Sequence, residues 1–263
     1  MTKTFYKYQG TGNDFVVFDN RQMHFDKNNA SFINRLCDRK LGIGADGLLL
    51  LENSATTDFT MVYFNADGTL GSMCGNGGRC IVAFASFLGI IDTDTQFEAY
   101  DGLHKATINN RIVSLQMKNV KDIDIYKDHI FLDTGSPHHV QCVENVSDFD
   151  VYQVGRKIRY AAPYFESGAN VNFVQVVSEY AFKVRTYERG VEAETLSCGT
   201  GVTAVAIAMH ATNQTSQNEI SLHTEGGVLQ VRFNNQGTVY SDVFLVGPAV
   251  QVFSGTINVD SNV

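Results

Sequence analysis

No uninterrupted apolar run approaches the roughly 18 residues that a membrane-spanning helix needs. The start, MTK, leads into an alternating segment rather than the apolar core of a signal peptide. There is no basic stripe and the formal net charge is −8, so a nucleic-acid backbone is a poor partner. No CxxC pair and no HExxH motif occurs, which removes the commonest zinc spacings. No Lys-centred constellation marks a pyridoxal cofactor. The cysteines number five, at positions 37, 74, 80, 142 and 198, too few and too oddly counted for a disulfide framework. With no leader or span in view, this points to a cytoplasmic chain with reduced thiols and no membrane partner.

What is present is enough apolar residue for a sizeable core: 44% hydrophobic and 18% charged over 263 residues. Short stretches rich in Val, Ile, Phe, Tyr and Thr read as strands, among them 15–18, 60–64, 112–117, 172–177, 182–187 and 228–233. Two segments differ. GGRCIVAFASFL (77–88) and GVTAVAIAMHA (201–211) are apolar nearly all round, and their length favours buried helices over buried strands.

The two segments begin alike, with Cys-Gly-polar-Gly after an aromatic strand. Asn13 lies 61 residues before Cys74, and Ser136 lies 62 residues before Cys198. This internal echo predicts an α+β fold of two pseudo-symmetric halves, each a mostly antiparallel sheet or barrel wrapped around a central helix. The expected halves are 1–116, completed by a last strand at about 249–263, and 117–248.

A helix N-terminus offers unpaired N–H groups and the positive end of the helix dipole. A thiol placed there has its pKa drawn down toward neutrality. Two such thiols in matching halves suit a symmetric site, with one on each face of a bound molecule. That arrangement inverts a carbon α to a carboxylate: one group removes the α-proton and the other returns a proton. Helix-start N–H groups could meanwhile stabilise the developing negative charge. The competing reading is structural, because cysteine is among the most buried residues. Cys37, Cys80 and Cys142 are read that way. Cys74 and Cys80 would also lie about 240° apart on one helix, which argues against a shared metal. A Cys74–Cys198 redox pair remains an alternative.

The motifs GTGNDFVV (10–17), GIGADGLL (42–49), FNADG (64–68), CGNGGRC (74–80), GSPHHV (135–140), GANVNFVQ (168–175), TYERGVEAETLSCGTG (186–201) and TEGG (224–227) follow one another in that order. On these the chain resembles the diaminopimelate epimerase family over essentially its whole length. The resemblance implies epimerisation of LL- to meso-diaminopimelate without cofactor or metal, on the route to lysine and peptidoglycan, by a homodimer. It makes Cys74 and Cys198 the catalytic pair. Gly75, Asn76, Gly199 and Thr200 would offer donors to the reacting carboxylate. Asn13, Asn65, Asn170, Glu188 and Arg189 would hold the substrate, and His138 with Glu188 would set the thiol pKa values.

Taken alone, Asn13 and Asn65 are good turn residues. Glu188–Arg189 reads as a solvated pair, and His138 as a loop histidine. Gly47 stands where some relatives carry a substrate-contacting Gln, and Ser136 where Asn is frequent. The stretch from Arg189 to Cys198 is one residue longer than in many relatives, a length that a bulge would absorb. A racemase of another amino acid on the same fold is the nearest alternative function. Arg189, with Asn65 and Asn170, favours a substrate polar at its far end. A thiol-based redox or binding module is the non-enzyme alternative.

Overall fold

The computed structural model describes residues 2–71 and 73–258. Two compact units are formed, Met1–Leu115 with Pro248–Val263, and Gln116–Gly247. Of the expected final segment 249–263, residues 259–263 lie outside the described residues.

The first unit runs β1 (Thr2–Gly10), β2 (Asn13–Asp19), α1 (Ala30–Cys37), β3 (Gly47–Glu52), β4 (Phe59–Asn65), α2 (Gly75–Phe87), β5 (Asp94–Ala99), β6 (Gly102–Asn109) and β7 (Ile112–Gln116). The second runs β8 (Ile123–Ile125), β9 (Ile130–Asp133), β10 (Pro137–Cys142), α3 (Val151–Tyr160), β11 (Asn170–Ser178), β12 (Ala181–Glu188), β13 (Ala193–Thr195), α4 (Gly199–Ala211), β14 (Glu219–Thr224), β15 (Gly227–Gln236) and β16 (Val239–Pro248). The last strand, β17 (Val250–Asn258), returns to pair antiparallel with β1.

Strand pairing repeats between the units. In the first, β1–β2, β3–β4, β5–β6 and β6–β7 are antiparallel, while β2–β3 and β4–β5 are parallel. In the second, β9–β10, β11–β12, β14–β15 and β15–β16 are antiparallel, while β10–β11 and β12–β14 are parallel. A parallel step needs a crossover, and in each unit helices supply the two crossovers. The halves are thus pseudo-symmetric, as the Cys-Gly echo predicts.

The helices α2 and α4 are the two buried segments, each starting two residues earlier than its apolar run. α2 packs against β1, β2, β3, β4, β6 and β17, and α4 against β9, β10, β11, β12, β14 and β15. Contact with strands all round explains why neither helix keeps a polar face. Two further helices, α1 and α3, were not expected. α1 is capped by Asn29, whose Oδ1 accepts from Phe32 N at 3.0 Å, and it inserts Ile33, Leu36 and Cys37 beside Phe18, Leu48 and Leu50. α3 is capped by Asp150 and packs Val151 with Val146, Phe173 and Tyr187. Each is short, with one narrow apolar stripe broken by polar residues, so neither stands out in the sequence.

Aromatic pairs lock the sheet onto α2. Phe59 and Phe97 face each other across the β4–β5 step and stack at 5.0 Å. Phe84 of α2 is fully buried and meets Tyr6 at 4.9 Å and Tyr8 at 5.8 Å. Replacing Phe84 with Ala is expected to cost about 3–5 kcal/mol of stability, read from urea unfolding midpoints. A loss below about 1 kcal/mol would mean that α2 does not organise its half.

Candidate active site

Each cysteine of interest stands at the N-cap of its buried helix, with extended backbone before the first turn. Ser, Thr, Asn and Asp usually fill that position. All five cysteines are free thiols. Burial pushes Cys37 and Cys80 up to about 12, so both stay protonated and belong to the core. Cys142 departs from the core expectation: it is exposed at the end of β10, near Met209 Sδ at 3.9 Å.

Around Cys74 the first unit assembles Asn13 from the start of β2 and Asn76 from the first turn of α2. Cys74 Sγ accepts from Gly77 N at 3.4 Å and lies 3.7 Å from Asn13 Oδ1. Asn76 Nδ2 donates to that same Oδ1 at 3.3 Å. The Asn13 amide is oriented by Asp46, whose carboxylate takes its Nδ2 at 2.7 Å. Asp46 in turn pairs with Arg39, which also grips Asp14 together with Lys7. Burial would raise the Asp14 carboxyl, but hydrogen bonds and charge from Arg39 and Lys7 outweigh it and hold it at about 2. Arg79 is fully buried and donates to Thr11 Oγ1 at 3.1 Å, Gly75 O at 3.4 Å and Pro248 O at 3.4 Å. It therefore ties the β1–β2 turn, the first turn of α2 and the segment before β17 together.

Asn65 closes β4 in a turn, its Nδ2 donating to Thr69 Oγ1 at 3.1 Å and its carbonyl accepting from Gly68 N at 3.0 Å. Its bland turn role is thus real, whatever else it does. At Gly47 a Cβ would sit 2.6 Å from the Tyr63 ring. Tyr63 fills the space a longer residue would need.

In the second unit Cys198 Sγ lies 3.5 Å from Thr200 Oγ1, and Thr200 O accepts from Thr134 Oγ1 at 2.9 Å. Ser136 Oγ reaches Thr200 Oγ1 at 3.4 Å and His138 Nε2 at 3.3 Å. Asn170 donates to Ser136 Oγ at 3.1 Å and accepts the Arg189 backbone N–H at 2.9 Å. The exposed Arg189 guanidinium holds Ser167 O at 2.9 Å. Glu188 Oε2 accepts from Thr195 Oγ1 at 2.9 Å. The pairing of β12 with β13 shows no bulge. Residues 189–192 form a hairpin loop closed by Glu192 N donating to Glu188 O at 2.8 Å, with Glu192 at φ 57° and its carboxylate on Arg159.

His138 is a buried strand residue rather than a loop histidine. Burial depresses it to about 3, with Asp133 and Arg189 acting in opposite directions, and burial likewise lowers His139 to about 4. Sequence reasoning missed Asn172, two residues after Asn170 on the same face of β11. It is fully buried, donates to His139 O at 3.0 Å and accepts from Thr186 Oγ1 at 3.0 Å. Two asparagines at strand spacing in an otherwise apolar run were the available signal. Gly201 is required here, because a Cβ would lie 2.5 Å from Asn172 Oδ1. Among the described residues no group of three or more His, Cys, Asp or Glu side chains is arranged to hold a metal ion.

The two buried imidazoles carry a pH consequence. Their folded pKa values lie below the unfolded 6.5, so the unfolded chain binds more protons below that pH. Their contribution is fully present above about pH 6.5 and is lost as pH falls toward 4 and then 3. Urea midpoints should therefore drop between pH 7 and pH 5, and less steeply in His138→Gln. An identical drop in that variant would contradict a buried neutral His138.

The chain matches the family profile described as diaminopimelate epimerase over residues 5–121 and 130–252. A diaminopimelate epimerase of Flavobacterium psychrophilum is 58% identical over 253 residues, covering 96% of this chain and 99% of the relative. One from Chlorobaculum tepidum is 41% identical over 260 residues, covering 94% and 98%. Among solved structures, a phenazine biosynthesis PhzF-family protein of Bacillus anthracis superposes with TM-score 0.79 at 11% identity, covering 98% of this chain and all of that one. A probable proline racemase of Agrobacterium radiobacter superposes with TM-score 0.72 at 15% identity, covering 98% and 93%. At such identities these two share the fold alone. With nearly its whole length matched by the profile and by close relatives, the chain belongs to the diaminopimelate epimerase family.

Proposed function

We propose that the chain is an isomerase that interconverts LL- and meso-diaminopimelate, with Cys74 and Cys198 as its acid–base pair and no cofactor. The observation that carries the two-thiol reading is the repeated helix start: a cysteine at the N-cap of each enclosed helix, followed by Gly-polar-Gly. Helix-start N–H groups favour thiolate character. The first-turn donors of Gly75, Asn76, Gly199 and Thr200 suit the carboxylate of the reacting centre, where enolate charge develops. Asn13, Asn65, Asn170, Glu188 and Arg189 are the proposed grip on the rest of the substrate, with the Arg189 guanidinium on the distal carboxylate. His138 and Glu188 are the proposed tuners of the thiols. Family membership supports a homodimer working in the cytoplasm. No helix among the described residues is long and apolar enough to cross a membrane.

Incubated with LL-diaminopimelate in D₂O, the reduced protein should place deuterium at the α-carbon and accumulate meso product. Cys74→Ala and Cys198→Ala should each lower epimerisation by at least about 10²–10⁴-fold while keeping the circular dichroism of the parent. Full activity in either variant removes the two-thiol mechanism. Arg189→Ala should raise KM for diaminopimelate far more than for a mono-carboxylate analogue, and equal losses would take the distal carboxylate away from Arg189.

A further inference from the structure

Five side chains of the second unit form a hydrogen-bonded series that ends on Cys198, and backbone groups set its direction. Asn172 Nδ2 faces His139 O, which can only accept, and Asn172 Oδ1 is occupied by the Thr186 hydroxyl. The NH₂ group is therefore also what faces His138 Nδ1, at 3.2 Å, and that nitrogen accepts. Held neutral by burial, His138 carries its one proton on Nε2 and donates to Ser136 Oγ at 3.3 Å. Asn170 is oriented the same way. Its Nδ2 donates to Pro137 O at 3.2 Å while its Oδ1 takes the Arg189 N–H, so Nδ2 also donates to Ser136 Oγ. With two donors on its oxygen, Ser136 must turn its own proton to Thr200 Oγ1 at 3.4 Å. The Thr200 proton is then directed at Cys198 Sγ, at 3.5 Å.

We infer that Ser136 and Thr200, aligned by His138, Asn170 and Asn172, deliver a hydrogen-bond donor to the Cys198 sulfur and favour its thiolate. These are positioning residues, and His138 acts in the series as a donor rather than as a base. The charged groups facing His138 are Asp133, which favours its protonation, and Arg189, which opposes it. Matching positions in the first unit have the opposite sense. Asn13 stands where Ser136 stands, and with its Nδ2 held by Asp46 it presents the acceptor Oδ1 to Cys74. Ser136 passes a donor on because the Asn170 and His138 protons converge on its one small oxygen, which leaves its own proton to turn outward.

The inference rests on Cys198 being one of the two working thiols, and its test is independent of turnover. Thiolate absorbance at 240 nm is titrated in the intact protein and in Cys198→Ser. The difference isolates Cys198, since the Cys74 and Cys142 signals cancel and the buried Cys37 and Cys80 titrate near 12. In Thr200→Val and Ser136→Ala, each measured against its own Cys198→Ser partner, the midpoint should rise by about one pH unit, a tenfold loss of thiolate below both midpoints. Thr200→Ser restores the donor and should return the midpoint to that of the parent. His138→Gln keeps an N–H near the Nε2 position and should shift it less than Ser136→Ala does. Unmoved midpoints in Thr200→Val and Ser136→Ala overturn the relay and leave the epimerase reading standing. Absent α-proton exchange by the unaltered protein, with the midpoint shifts intact, overturns the substrate and leaves the relay.

Discussion

A helix enclosed by strands on all sides can have no polar face, so its only chemistry is at its ends. In both units this constraint governs the rest. The first-turn N–H groups cannot be satisfied by solvent along the helix flank, so the residue before the turn and the strands around it must supply partners. Cysteine in the cap position leaves those donors partly available, where Ser or Asp would occupy them more strongly. The glycines that follow let neighbouring strands close on the helix start: at Gly201 the amide oxygen of Asn172 occupies the space where a Cβ would be.

The same constraint explains what was legible in the sequence. GGRCIVAFASFL and GVTAVAIAMHA announce enclosed helices because no exposed helix is so uniformly apolar, and the strands around them show as alternating or β-branched runs. The two cysteines at those helix starts could be picked out as candidates for the same reason. Asn172 was signalled only by its strand spacing from Asn170, since a buried asparagine between valine and phenylalanine otherwise looks like any interruption of a strand. Its role depends on which face of β11 it shares with Asn170 and on the parallel pairing of β10 with β11. The helices α1 and α3 were equally hidden: their stripes of three or four apolar residues acquire meaning only against the sheet that covers them. The loop after Arg189 is a hairpin turn rather than a bulge, with Glu192 in a left-handed conformation that its residue type does not announce.

Two copies of one topology have been fitted with different side-chain chemistry. The first unit orients an amide with an ion network, Lys7–Asp14–Arg39–Asp46, that lies partly at the surface. Such charges are screened by salt when exposed, although Asp14 and Lys7 are well buried. The second unit orients two amides and an imidazole with backbone carbonyls and N–H groups, and these carry no net charge. Pseudo-symmetry in the backbone therefore coexists with asymmetry in how each sulfur is surrounded.

The return of β17 to β1 also constrains the order in which the chain can become a protein. The second unit is one continuous stretch, so all its strand partners are available once residue 247 has been made. The first unit is not: β1 waits for a strand roughly 250 residues away in sequence, and the buried Arg79 waits for the carbonyl of Pro248. Pairings of such sequence separation form slowly. During synthesis the N-terminal residues emerge first yet finish last, leaving the edge of β1 and the guanidinium of Arg79 without those partners in the interval. A chain cut short before Pro248 loses more than a strand, because the half that carries Cys74 is left without both the β17 partner of β1 and the carbonyl that Arg79 grips.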